Sequence, residues 1–220
     1  SGSIRPAPVL FNPLEVYESF SMQFSDFALS KEIQLMFLID PHLPKMMVGD
    51  PDKIQAVLRN LIQNGIKFTE EGGRVLVEVL AVRKEGSAVE VEYAVSDTGI
   101  GIEKEKIKTL LRPFGSAWEN QRQGKNGLGI GLSLSHKYVD MMESHLMLAS
   151  EPGKGSRFSF RILHEIGEEG AFDFVKGSRA AVADLSLLLT EFADPGGEAT
   201  QWKVPDPSAD TLIEDELTQP

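Results

Sequence analysis

Residues 74–97 read RVLVEVLAVRKEGSAVEVEYAVSD. An apolar run, RVLVEVLAV, and a second run in which Val and Glu alternate, AVEVEYAVS, are joined by the short link KEGS. Alternation at period two marks a strand with one buried and one wet face. A glycine-bearing link between two such runs closes a hairpin. RVLVEVLAV and AVEVEYAVS are therefore expected to pair antiparallel, and their apolar face needs a second layer to cover it.

The rest of the chain supplies that layer. Over 13–31, apolar residues at Leu14, Val16, Phe20, Phe24, Phe27 and Leu29 predict an amphipathic helix. EIQLMFLID suits a strand, and HLPKMMVGD follows as a loop. Asp50 fits an N-cap with Pro51 at the first helical position, so a helix runs through DKIQAVLRNLIQNGIKF. Gly72-Gly73 is a turn, and an irregular region extends from Asp97 to about residue 127. A helix is expected over Leu128–Glu143, then a strand at HLMLAS, a turn at EPGKGS and a last strand at RFSFRIL. This order predicts an α+β two-layer sandwich, with helices on one face of a mixed, mostly antiparallel sheet. A doubly wound dinucleotide-binding domain would alternate strand and helix around a parallel sheet, and its glycines would follow the first strand. Here the glycines of 124–131 follow Pro113-Phe114 instead.

Charge divides the chain. Of the net −11, residues 1–163 carry 19 Lys+Arg against 20 Asp+Glu, and residues 164–220 carry 3 against 13. Nothing in this distribution is the basic patch of a nucleic-acid binder. The chain has no cysteine, which rules out thiolate chemistry and disulfides. No apolar run approaches the roughly 20 residues of a membrane span, and no signal peptide is visible. A cytoplasmic location without membrane contact is the expectation. The opening SGS reads as an expression scar. The expected organisation is a tag remnant and linker over 1–8, a folded domain over 9–163 and an acidic tail over 164–220. In the tail, GSRAAVADLSLLLTEFADPGG suggests a strand and a short helix, and the acidic, proline-bearing end suggests mobility.

Two glycine clusters, DTGIGI at 97–102 and GKNGLGIGL at 124–132, call for backbone that approaches something closely. Phosphate at a helix N-terminus is the usual occupant. Asn60, Asn64 and Lys67 lie at i, i+4 and i+7 on a predicted helix, so they share a face. A neutral amide oxygen is a hard ligand suited to Mg²⁺.

Four segments in order, NLIQNGIKFT, DTGIGI, RPF and GKNGLGIGL, resemble the N, G1, F and G2 boxes of the ATP-binding catalytic domain of sensor histidine kinases. That domain is one branch of the ATPase superfamily that also holds gyrase, the Hsp90 chaperones and MutL. The resemblance covers roughly residues 9–163 and includes the flanks GDPDKIQAVLRNL and SEPGKGSRFSF. It implies the Bergerat-type ATP-binding fold, with ATP and Mg²⁺ as cofactors. It implies Asn64 as the Mg²⁺ ligand, Lys67 as a phosphate contact and Asn60 facing the triphosphate. Asp97 would read the exocyclic amine of adenine, with Gly99, Gly101 and Ile102 beside the base. Gly127, Leu128 and Gly129 would close on the phosphates, Arg122 and Lys125 are candidate phosphate contacts, and Phe114 would anchor the base of a lid.

Gyrase- and Hsp90-type members carry a hydrolytic glutamate where this chain has Asn60, so the resemblance favours phosphoryl transfer over hydrolysis. The alternatives are a nucleotide-sensing module without catalysis and, further off, a hydrolytic ATPase. None of His42, His136, His145 or His164 sits in an acceptor context. The acceptor histidine is thus expected on a separate dimerisation domain, with a response-regulator receiver downstream. The chain alone would be a monomer that does not phosphorylate itself. Where the family usually has Ala, Gly65 stands, and Glu143-Ser144 replaces a usual Gly-Gly. The segment KGSRAAVADLSLLLTEF resembles the start of a receiver with only Asp184 of the usual acidic pair, and a linker with one amphipathic helix is the alternative.

Overall fold

The computed structural model describes residues 7–110 and 130–167. The predicted hairpin is its centre: β4 (Arg74–Glu85) and β5 (Ala88–Asp97) pair antiparallel, with an irregularity between Ala81 and Arg83. A seven-stranded sheet grows outward from them. β2 (Gln34–Ile39) adds to β4 in parallel. β7 (Gly155–Ile166) adds antiparallel to β5, and β6 (Met147–Glu151) folds back on β7. Beyond β7 lie β3 (Met47–Gly49) and β1 (Val9–Phe11), both antiparallel.

Register explains why the apolar alternation works. Phe37, Val77, Val95, Phe158 and Leu148 fall in one row across five strands. Rows of this kind make one sheet face continuous and apolar, and α3 (Pro51–Phe68) covers it with Ile54, Val57, Leu58, Leu61, Ile62 and Ile66, all buried. α5 (Ile130–Met141) packs beside α3. Asp50 caps α3 as the sequence suggests: its carboxylate accepts from Lys53 N–H at 3.0 Å and pairs with the Lys53 ammonium. It also accepts from Ala7 N–H at 2.8 Å, tying the incoming chain to the start of α3.

The opposite face carries charge. Arg157, only 8% exposed, pairs with Glu78 and Glu92 and donates to Ser96 Oγ at 3.0 Å. Arg161 shares Glu92 at 3.0 Å. Two guanidinium groups thus meet two carboxylates across three strands.

Three expectations need correction. The helix expected over 13–31 is broken into α1 (Pro13–Ser21), a 3₁₀ turn (Met22–Phe24) and α2 (Ser25–Leu29). Its buried residues are Pro13, Tyr17, Phe20, Phe24 and Ala28, while Leu14, Phe27 and Leu29 point outward. The loop expected over 42–50 includes strand β3, and strand β1 opens the domain at Val9. The irregular region after Asp97 includes α4 (Lys104–Leu110).

A polar chain crosses the core. Val48 C=O can only accept, so His164 Nδ1 donates to it at 3.0 Å. Nε2 is then left to accept the Tyr93 hydroxyl at 2.9 Å, and Tyr17 donates to Tyr93 at 3.2 Å. These bonds join α1, β3, β5 and β7, and burial holds the His164 imidazole neutral, below its ordinary pKa.

Candidate functional site

Asn60, Asn64 and Lys67 lie on α3, the first two half-buried and the third exposed. They sit where the covered face of the helix meets its open face. Between Asn64 and Lys67, Gly65 brings α3 down onto the sheet. A Cβ there would stand 3.3 Å from both Val75 methyls and 3.6 Å from the Asp97 Cβ. The glycine that departs from the family pattern therefore packs in close contact with the end of β5. It sets Asp97 directly under the turn that carries Asn64 and Lys67.

Asp97 is the last residue of β5 and is 7% exposed. Its carboxylate accepts Gly99 N–H at 2.9 Å and the Ser156 backbone N–H. Burial outweighs both bonds and raises its pKa to about 6. A carboxylate so placed retains lone-pair capacity for a further donor, such as an amino group.

The loop after Asp97 is wedged between two backbones. Thr98 N–H donates to Arg74 C=O and Ile100 N–H to Phe68 C=O, at 3.1 and 3.2 Å. A Cβ on Gly99 would overlap that Phe68 carbonyl. Gly101 has φ +67°, and a Cβ there would overlap Glu151 C=O, so this position needs glycine on two counts. Ile102 N–H donates to Ser150 Oγ at 2.8 Å, and Ser150 in turn donates to Gly155 C=O at 2.9 Å. The β6–β7 turn thus forms the outer wall of the site. The sequence did not single out Ser150 or Ser156 for this, because their role depends on strand register.

Asn60 faces α5. Its Nδ2 donates to Ser135 Oγ at 2.9 Å, and its oxygen lies against Gly131, where a Cβ would overlap it. Neither Gly131 nor Ser135 figures among the expected site residues. Gly131 does belong to the glycine cluster at 124–132, and Ser135 follows it by four residues on the same helix.

The structure brings Asn60, Asn64, Lys67, Asp97, Gly99, Gly101 and Ile102 into one region spanning α3, the end of β5 and the loop behind it. Phe114, Arg122, Lys125, Gly127, Leu128 and Gly129 lie outside the described residues. Among the described residues no three His, Asp or Glu side chains converge to hold a metal ion. A divalent ion beside Asn64 would take its remaining ligands from water and phosphate, the arrangement Mg²⁺ favours. Two of the four histidines, His136 and His164, are buried, with burial lowering both pKa values. No helix of the described residues is long and apolar enough to cross a membrane.

Residues 49–166 match the family described as histidine kinase-, DNA gyrase B- and HSP90-like ATPases. The chain is 30% identical over 226 residues to the sensor histidine kinase RcsC of Escherichia coli K12, taking in 99% of this chain and 23% of that protein. It thus spans under a quarter of that curated relative. Two solved structures share the fold. One is full-length ShkA in complex with AMPPNP, with TM-score 0.62 at 22% identity, over 76% of this chain and 33% of ShkA. The other is the nucleotide-free catalytic domain of the histidine kinase ThkA, with TM-score 0.56 at 24% identity, over 71% of this chain and 97% of that domain.

Proposed function

Because the chain belongs to the histidine kinase-, DNA gyrase B- and HSP90-like ATPase family, we propose that it binds Mg²⁺-ATP and is the phosphoryl-donor domain of a sensor histidine kinase. The observation that carries this reading is the position of Asp97. A desolvated carboxylate at the end of β5, under the Asn64–Lys67 turn, can accept from the adenine amino group while the helix above addresses the phosphates. Guanine would present a carbonyl there and repel it.

In the reaction, an acceptor imidazole attacks the γ-phosphorus. A nitrogen–phosphorus bond forms, the bond to the β-phosphate oxygen breaks, and ADP leaves. Mg²⁺ bound at Asn64 would supply charge neutralisation on the phosphates. Lys67 adds positive charge, and the protein's part is positioning and electrostatics. Asn60 is a carboxamide already hydrogen-bonded to Ser135, so it cannot serve as a base for water, which supports transfer over hydrolysis. The imidazole belongs on a separate helical dimerisation domain, and a receiver would take the phosphoryl group next. The likeness to RcsC, a sensor histidine kinase by name, supports the kinase reading.

The test is transfer in trans. With γ-labelled ATP, Mg²⁺ and a histidine-bearing domain of the parent kinase, label should move to that domain, and Asn64→Ala should reduce the rate by 100-fold or more. Steady ATP hydrolysis without transfer would overturn the kinase reading.

A further inference from the structure

We propose that Ser135 is a positioning residue that locks the Asn60 carboxamide with its oxygen toward the first turn of α5. The inference rests on the Mg²⁺-ATP reading of this site and deepens it. Ser135 is 1% exposed, so water does not compete for its hydroxyl. That hydroxyl has one proton, and it is spent on the Gly131 carbonyl four residues back, at 3.0 Å. Only lone pairs then remain for Asn60. The side of the carboxamide facing Ser135 must therefore be its NH₂, as the 2.9 Å contact with Nδ2 has it.

The other half of the lock is steric. With NH₂ held by Ser135, the Asn60 oxygen lies against Gly131, in space that a Cβ at that position would occupy. Helix α5 thus reads the carboxamide twice, by a hydroxyl at one end and by a missing methyl at the other. The chemistry that follows is specific. An oxygen turned toward the phosphate end of α5 suits the hydration shell of Mg²⁺, whereas an NH₂ in the same place would oppose it. Ser135 therefore acts through Asn60 on the metal-dependent part of ATP binding.

The experiment is calorimetric titration of the full chain with ATP, with and without Mg²⁺, for wild type, Ser135→Ala, Asn60→Ala and the double variant. The expected result is a loss of about 10-fold in Mg²⁺-ATP affinity for Ser135→Ala, with metal-free ATP affinity unchanged. Asn60→Ala should lose at least as much, and the double variant should lose no more than Asn60→Ala, since coupled residues are not additive. Gly131→Ala provides a second route, because it displaces the carboxamide while leaving the Ser135 hydroxyl in place. It should reproduce the metal-dependent loss even if Ser135→Ala fails to fold. Unchanged Mg²⁺-ATP affinity in Ser135→Ala or in Gly131→Ala would overturn the inference. So would a Ser135→Ala effect that persists in full without the Asn60 side chain. A folded wild type that binds no ATP would instead overturn the functional reading itself.

Discussion

At the scale of single residues, Asp97 is where stability and function pull apart. Its folded pKa of about 6 stands above the unfolded value of 3.8. The folded state therefore holds the proton more tightly than the unfolded chain, and stability on this account is lost as pH rises through about 6. Asp97→Asn keeps an acceptor for Gly99 N–H and removes the buried charge. We expect the variant to be more stable than wild type at pH 7.5, on the order of 2 kcal/mol. The gain should shrink below pH 4, where both forms of the wild-type chain are protonated. Urea denaturation at the two pH values checks this. Equal stability of the two proteins at pH 7.5 would mean that Asp97 is better solvated than its burial implies. Gly65 offers a different lesson. In the sequence it is a departure from the family pattern, and glycine within a helix costs about 1 kcal/mol relative to alanine. In the structure it is a point where α3 packs directly on Val75 and Asp97. No local pattern could have revealed that role.

At the scale of elements, legibility followed the reach of the forces involved. Helix α3 was legible because its cap, its proline and its apolar stripe are all local. The β4–β5 hairpin was legible because alternation and a short link suffice. The segment 13–31 was misread because its apolar residues fit a continuous helix, while packing against the sheet selects Tyr17, Phe20, Phe24 and Ala28 and breaks the helix at Met22–Phe24. Strands β1 and β3 are three residues each, too short to carry a period, and exist by pairing with partners far along the chain. The charged layer behind the sheet was hidden for the same reason. Arg157 lies opposite Ser96, beside the Asp97–Ser156 pair, and reaches diagonally to Glu78 and Glu92. Removing one partner of a buried ion pair leaves charge uncompensated, a cost of about 3–5 kcal/mol. Arg157→Ala is expected to destabilise toward the lower end of that range, since both glutamates are half-buried. Thermal denaturation measures it, and a change below 1 kcal/mol would show that the network adds little.

At the scale of the whole molecule, the site is a meeting of distant segments. Asn60, Asn64 and Lys67 come from α3, Asp97 from β5, the outer wall from the β6–β7 turn and Ser135 from α5. The sequence could name most of these residues through ordered motifs, but not how they touch. It placed Asn60 at the triphosphate, and the structure adds its bond to Ser135. In the proposed function a single nucleotide spans from Asp97 to the asparagines of α3. The most direct measurement is calorimetric titration of Mg²⁺-ATP into wild type and Asp97→Asn at pH 7.5, with GTP as control. The account predicts that wild type binds ATP and not GTP, and that the folded Asp97→Asn variant loses at least 10-fold in ATP affinity. Equal ATP affinity in the two proteins, or equal affinity of wild type for GTP, would contradict it.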